Sequence, residues 1–171
     1  MKLYWKNKKA IYPGSFDPFH HGHMEIVRFC QQELGLLVIP EISSKRFQKA
    51  DRTNLEMERI AENIPLPSVI RTDSALMEDK YWEIVQVLHV PALDLIVGMD
   101  TYDRLLACYD NDQDEMLAHI GFEKIHVFPR TRYEPNTNTT AASDRIRIYT
   151  QYHGPEISST AIRMGKASNL L

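Results

Sequence analysis

The chain has 171 residues, which suits one domain and leaves little room for a second. A net charge of −3, on charged and apolar fractions ordinary for a globular protein, gives no general attraction to nucleic acid or anionic membrane. Cys30 and Cys108 make neither a disulfide scaffold nor a zinc knuckle, and no apolar run is long enough for a membrane span or a signal peptide. A cytoplasmic protein with reduced thiols is the expectation.

Lys9 to Pro13 reads as a short strand ending in a turn. Met24, Val27, Cys30 and Leu34 then recur at three or four residues, the stripe of a helix that Gly35 stops. "LLVIPEI" is a continuous apolar run of strand length, as for a strand covered on both faces. "NLEMERIAENI" predicts a helix with Leu55, Ile60 and Ile64 inward, ended by Pro65 and Pro67. "SVIRT" reads as a strand and "KYWEIVQVLHV" as a helix with Trp82, Val85 and Leu88 or His89 on its inward side, Tyr81 belonging to the same packed region.

"LDLIVG" is the clearest strand, followed by the helix "DTYDRLLACY". "KIHVFPR" reads as another strand, "TRYEPNTNTTAASD" as a polar surface loop, "RIRIY" as a last strand and "SSTAIRMGKA" as a last helix. Strands alternating with helices imply crossover connections, hence an α/β fold with a parallel sheet and helices on both faces. Ligands of such sheets bind at the carboxyl ends of the strands.

The turn "GSFDPFHHGH" sits at such an end. Gly14 permits a tight turn, after which the amides of Gly14, Ser15 and Phe16 are expected to face a ligand. The N-terminus of the next helix adds unpaired N–H groups and partial positive charge, a setting suited to phosphate. His20 and His23, three apart, can share a helix face, and imidazole N–H groups can donate to phosphate oxygens. By spacing alone the pair also admits a metal site or plain solvation. Far along the chain, "ISSTAIR" opens a helix with Ser158, Ser159 and Thr160, whose hydroxyls can cap it or hold phosphate. Arg163 follows one turn later with a fork of donors.

Together these strings resemble the signatures of the nucleotidylyltransferase superfamily, a G-S-F-D-P turn with H-x-G-H and a late I-S-S-T-x-I-R. The likeness runs from Ile11 to about Gly165 and leans toward the nicotinamide mononucleotide branch and a cytidylyltransferase-like group near it. It implies a single Rossmann-like, doubly wound domain over residues 1–171. It implies adenylyl transfer from ATP, with Mg2+, to a small phosphorylated acceptor such as nicotinamide or nicotinic acid mononucleotide. Transfer to a phosphopantetheine-like acceptor, use of CTP, and nucleotide binding without turnover are the alternatives.

The same resemblance puts His20 and His23 on the triphosphate, with His21 a bystander, and Ser158, Ser159, Thr160 and Arg163 on the departing phosphates. "VGMD" matches the family's G-x-D, so Gly98 and Asp100 would hold the adenosine ribose. A phosphate-binding lysine is expected in "ISSKRFQKADR", Lys49 before Lys45. Tyr109 stands near where nicotinamide-specific relatives carry a stacking tryptophan, and Arg130 is a candidate for the acceptor's phosphate. No protein metal ligand, nucleic acid or membrane is expected as a partner, and a homo-oligomer stays open.

Overall fold

The computed structural model describes residues 7–129, 143–150, 152 and 165. In chain order its elements are β1 (Lys9–Pro13), α1 (His21–Gln32), β2 (Leu37–Ser43), α2 (Asn54–Glu62), β3 (Ile70–Thr72), α3 (Met77–Leu88), β4 (Leu93–Gly98), α4 (Met99–Ala107), α5 (Gln113–His119), β5 (Ile125–Phe128) and β6 (Ile146–Ile148). The strands form one parallel sheet in the order β3-β2-β1-β4-β5-β6.

β2 and β4 read as unbroken apolar runs because each feeds two cores. Ile11, Ile39, Leu95, Val97 and Val127 point to one face, covered by Tyr81 and Ile84 of α3, Tyr102 and Leu106 of α4, and Met116 and Leu117 of α5. Ala10, Tyr12, Val38, Ile42, Ile96 and Phe128 point to the other, covered by Val27 and Cys30 of α1 and Met57 and Ile60 of α2. Full burial of each such Ile, Leu or Phe contributes about 1.5–3 kcal/mol. The sheet is doubly wound, with β1 near its centre.

Two inward assignments are corrected. Leu55 is 77% exposed, and the inward face of α2 is carried by Met57 and Ile60. Trp82 is 62% exposed, while its neighbour Tyr81 is buried and donates its hydroxyl to Pro91 O at 2.8 Å. Helix α5 is additional to the elements the sequence predicts, and α3 begins at Met77, ahead of the expected Lys80.

One polar group is buried at the opposite end of β4 from the crevice described below. Asp94 Oδ2 meets His126 Nε2 at 2.8 Å, His126 Nδ1 meets the Tyr149 hydroxyl at 2.7 Å, and Lys8 Nζ reaches Asp94 Oδ1 at 2.8 Å. Burial pushes the Tyr149 hydroxyl up to about 12. A carboxylate oxygen only accepts, so His126 Nε2–H donates to Asp94. Burial alone would raise the Asp94 carboxyl, but His126 and Lys8 outweigh it and hold the group below its ordinary value.

Candidate active site

After β1 the chain builds β2 and β3 on one side, then crosses to place β4 on the other side of β1. The strand order reverses between β1 and β4, and the crevice over their carboxyl ends is the ligand position of such sheets. Two segments open there: the turn from β1 into α1, and the first turn of α4.

The β1–α1 turn is rigid for reasons its residues supply. Gly14 N–H donates to Glu41 O at 3.1 Å, which extends the β1–β2 ladder by one step. That donor, expected to face a ligand, is therefore used within the sheet. The requirement for glycine at 14 is steric, since a Cβ there would lie 2.7 Å from the Phe16 ring. Phe16 takes a left-handed backbone (φ 47°), which costs a non-glycine residue about 1–2 kcal/mol. Its fully buried ring offsets that cost by packing edge-on against Tyr12 (5.2 Å) and His23 (4.8 Å) and against Phe19 (5.4 Å). Asp17, joined to Pro18 by a cis peptide, is gripped by both terminal nitrogens of Arg59 from α2, at 3.0 and 3.2 Å. Among the described residues, the backbone N–H groups of Ser15 and Phe16 donate to no protein acceptor.

The two histidines do more than share a face. His20 is the N-cap of α1 and His23 its third residue, and they form a reciprocal capping box. His20 Nδ1 accepts from Gly22 N–H at 3.1 Å, and His23 Nδ1 accepts from His20 N–H at 3.1 Å. The first-turn amides expected for an anion are thus partly taken by imidazole. Because each Nδ1 acts as acceptor, the neutral ring carries its proton on Nε2. The rings stack with centroids 3.7 Å apart at 20°. His20 is buried and His23 half-buried, so the pair is held rather than solvated. His21 between them is exposed.

At the start of α4, Gly98 is the N-cap and Asp100 lies in the first turn. A Cβ on Gly98 would come 2.9 Å from Asp100 Oδ1, so the Gly-x-Asp spacing lets the carboxylate fold over the strand end. One turn on, both carboxylate oxygens of Asp103 are buried without a hydrogen-bond partner among the described residues. Burial, and then the Asp100 charge, pushes that carboxyl up.

Not every candidate joins this crevice. Tyr109 lies beyond the far end of α4, and the nine residues of that helix span about 13 Å. Its ring stacks on His119, and its hydroxyl, which burial and then Glu78 push up to about 12, meets Glu78 at 3.4 Å. Lys45 and Lys49 are both exposed, and Lys49 N–H donates to Arg46 O in a local turn. The cation that reaches the β1–α1 turn from this loop is Arg52, buried, whose Nη2 donates to Ser15 O at 3.0 Å. Sequence reasoning missed it because Lys45, Arg46, Lys49 and Arg52 all lie in one polar loop and spacing does not rank them. Ser158, Ser159, Thr160, Arg163 and Arg130 lie outside the described residues.

Residues 11–165 match the family model described as "Cytidylyltransferase-like", which takes in both halves of the crevice. The chain belongs to the cytidylyltransferase-like family. This places it in the nucleotidylyltransferase superfamily. Other members resemble it at modest identity. It is 25% identical to the phosphopantetheine adenylyltransferase of Campylobacter fetus subsp. fetus over 158 residues, 90% of each chain. With the enzyme of the same name from Desulforamulus reducens it shares 28% over 158 residues, 90% of this chain and 80% of that one. Among solved structures it resembles Plasmodium falciparum nicotinic acid mononucleotide adenylyltransferase complexed with APC, with a TM-score of 0.57 and 13% identity over 92% of this chain and 83% of that one. At that identity the likeness concerns the fold, which the doubly wound sheet shares. In this cytidylyltransferase-like chain the imidazole pair, Gly98 and Asp100 occupy neighbouring strand ends, because β1 and β4 are paired directly.

Proposed function

We propose that this chain transfers an adenylyl group from ATP to the phosphate of a small acceptor, releasing pyrophosphate. The observation that carries the reading is the reciprocal histidine cap at the switch point of the sheet. It commits both Nδ1 atoms to backbone N–H groups and so makes Nε2–H the donor of each neutral ring.

Both reactants are anions, so the barrier is charge repulsion and alignment, and the protein acts by positioning and preorganised donors. An oxygen of the acceptor phosphate attacks the α-phosphorus, the bond from that phosphorus to the bridging oxygen of the β-phosphate breaks, and pyrophosphate leaves. No protein nucleophile is needed. His20 orients the phosphates, and His23 stabilises charge building on the transferred group. Backbone N–H groups of Ser15 and Phe16 add donors on the same side, with Gly14 giving the turn its shape. Gly98 and Asp100 take the ribose, and Ser158, Ser159, Thr160 and Arg163 hold the departing phosphates. Magnesium, carried by ATP as part of the substrate, would shield charge on the phosphates, and no side chain of this protein is assigned to hold it.

Two observations bear on the acceptor and point apart. The string "ISSTAIR" favours nicotinamide or nicotinic acid mononucleotide, with Arg130 as an acceptor contact. The curated relatives that align over 90% of the chain favour phosphopantetheine. Pyrophosphate release measured with ATP or CTP against nicotinamide mononucleotide, nicotinic acid mononucleotide and 4′-phosphopantetheine separates them. The reading predicts release with ATP and one of the three. No release with any pair, in a protein that binds ATP by calorimetry, would replace it with nucleotide binding alone.

A further inference from the structure

The loop between β2 and α2 is stitched to itself and to the β1–α1 turn. Arg46 closes it by donating from Nε and Nη2 to Ala50 O at 3.1 and 2.8 Å. Arg52 N–H returns it to the strand end, donating to Ser44 O at 2.7 Å. From that fixed base the buried Arg52 guanidinium donates to Ser15 O at 3.0 Å. The position of this arginine is thus set before any ligand arrives.

The consequence follows from peptide geometry. Ser15 C=O and Phe16 N–H belong to one planar trans peptide, in which the two bonds point in opposite directions. A donor that pulls Ser15 O toward the β2–α2 loop aims Phe16 N–H away from that loop. Phe16 N–H has no protein acceptor among the described residues, and its residue packs against the His23 ring. Phe16 also sits at φ 47°, where no repeating hydrogen-bond ladder fixes the peptide plane, so an outside anchor is needed.

We propose that Arg52 is a positioning residue for nucleotide binding: by holding Ser15 O it directs Phe16 N–H at a phosphate oxygen. The inference rests on the adenylyl-transfer reading. It adds a residue that the motifs do not contain, and it assigns the loop's decisive cation to Arg52 rather than to an exposed lysine. Arg52 acts through the peptide it orients.

The test is titration of the full-length 15N-labelled protein with MgATP, following the Phe16 backbone amide, alongside ATP calorimetry and thermal unfolding. In the wild type the Phe16 amide proton moves downfield on saturation, as for a donor to a charged acceptor. In Arg52→Met it does not move at saturating ATP. ATP affinity there falls by roughly tenfold to a hundredfold, the range for one hydrogen bond to a charged group. Arg52→Lys, which keeps a charged donor, recovers the shift and most of the affinity.

A purely structural arginine would lower the melting temperature and leave the Phe16 response intact, which overturns the proposal. So does a wild-type Phe16 amide that stays still while ATP binds, or wild-type affinity in Arg52→Met. If Arg52→Met does not fold, the wild-type shift and Arg52→Lys still decide. Absence of ATP binding by the wild type would overturn the adenylyl-transfer reading itself, and this inference with it.

Discussion

His23 has two duties that substitution can separate. Its Nδ1 accepts the His20 N–H and closes the cap of α1, while Nε2–H is the donor assigned to the reacting phosphates. Glutamine at the third helical position is the usual reciprocal partner of an N-cap residue, so His23→Gln keeps an acceptor for His20 N–H. His23→Ala removes it. The lost cap costs about 0.5–2 kcal/mol. Loss of ring contacts to Phe16, Phe19 and His20 costs up to about 0.5–1.5 kcal/mol more for each pair, and in both variants. Urea unfolding at constant m should therefore rank wild type above Gln above Ala, the last two differing by about 1 kcal/mol. His23→Ala also loses a preorganised donor worth about 3–4 kcal/mol, so its kcat for pyrophosphate release falls on the order of a hundredfold to a thousandfold, more than the lost cap accounts for. The glutamine amide keeps an N–H beside its acceptor oxygen, so His23→Gln retains part of that turnover. Near wild-type turnover in His23→Ala would refute the donor role. Equal stability of the two variants would refute the cap.

Three further outcomes follow from the packing. Gly14→Ala places a Cβ 2.7 Å from the end of a ring boxed in by Tyr12, Phe19 and His23; the overpacking should cost about 1–3 kcal/mol, and an unchanged melting temperature would contradict it. The Asp94 carboxyl, which burial would raise, is held below its ordinary 3.8 by His126 and Lys8. Its stabilisation is thus complete above that value and lost as pH falls through the lower folded-state value. Asp94→Asn should flatten the stability profile below about pH 4, and an equally steep acid limb in the variant would exclude the role. Burial pushes the Cys30 thiol up to about 12, whereas Cys108 is exposed. A thiol-specific reagent at neutral pH should modify Cys108 rapidly and Cys30 only on unfolding; rapid modification of both would contradict this.

The layered fold was legible because its signals are local and redundant. Unbroken runs such as "LLVIPEI" and "LDLIVG" announce strands covered on both sides, and the stripe Val27–Cys30 announces the helix beside them. Helix phase was less legible. In α3 the set Tyr81 and Ile84 competes with Trp82 and Val85, and apolarity alone does not choose between stripes one residue apart; the sheet chooses Tyr81 and Ile84. Helix α5 has seven residues, too short for a period to declare itself, although Asp112 caps it by accepting from Glu115 N–H.

At the site, the motifs located the imidazoles but not how they are held. The capping box escaped notice because histidine is not a usual cap. Nδ1 is bonded to Cγ, as the side-chain oxygen of asparagine is, and so can reach the same backbone N–H groups. Arg52 escaped because the group it holds, Ser15 O, lies 37 residues earlier in the chain.

The most direct measurement is a crystal structure of the protein with magnesium and a non-hydrolysable ATP analogue. The account predicts Nε2 of His20 and of His23 within about 3 Å of phosphate oxygens, with Arg163 on the same polyphosphate. A triphosphate bound away from the imidazole pair, or Arg163 on the opposite side of the molecule, would contradict it.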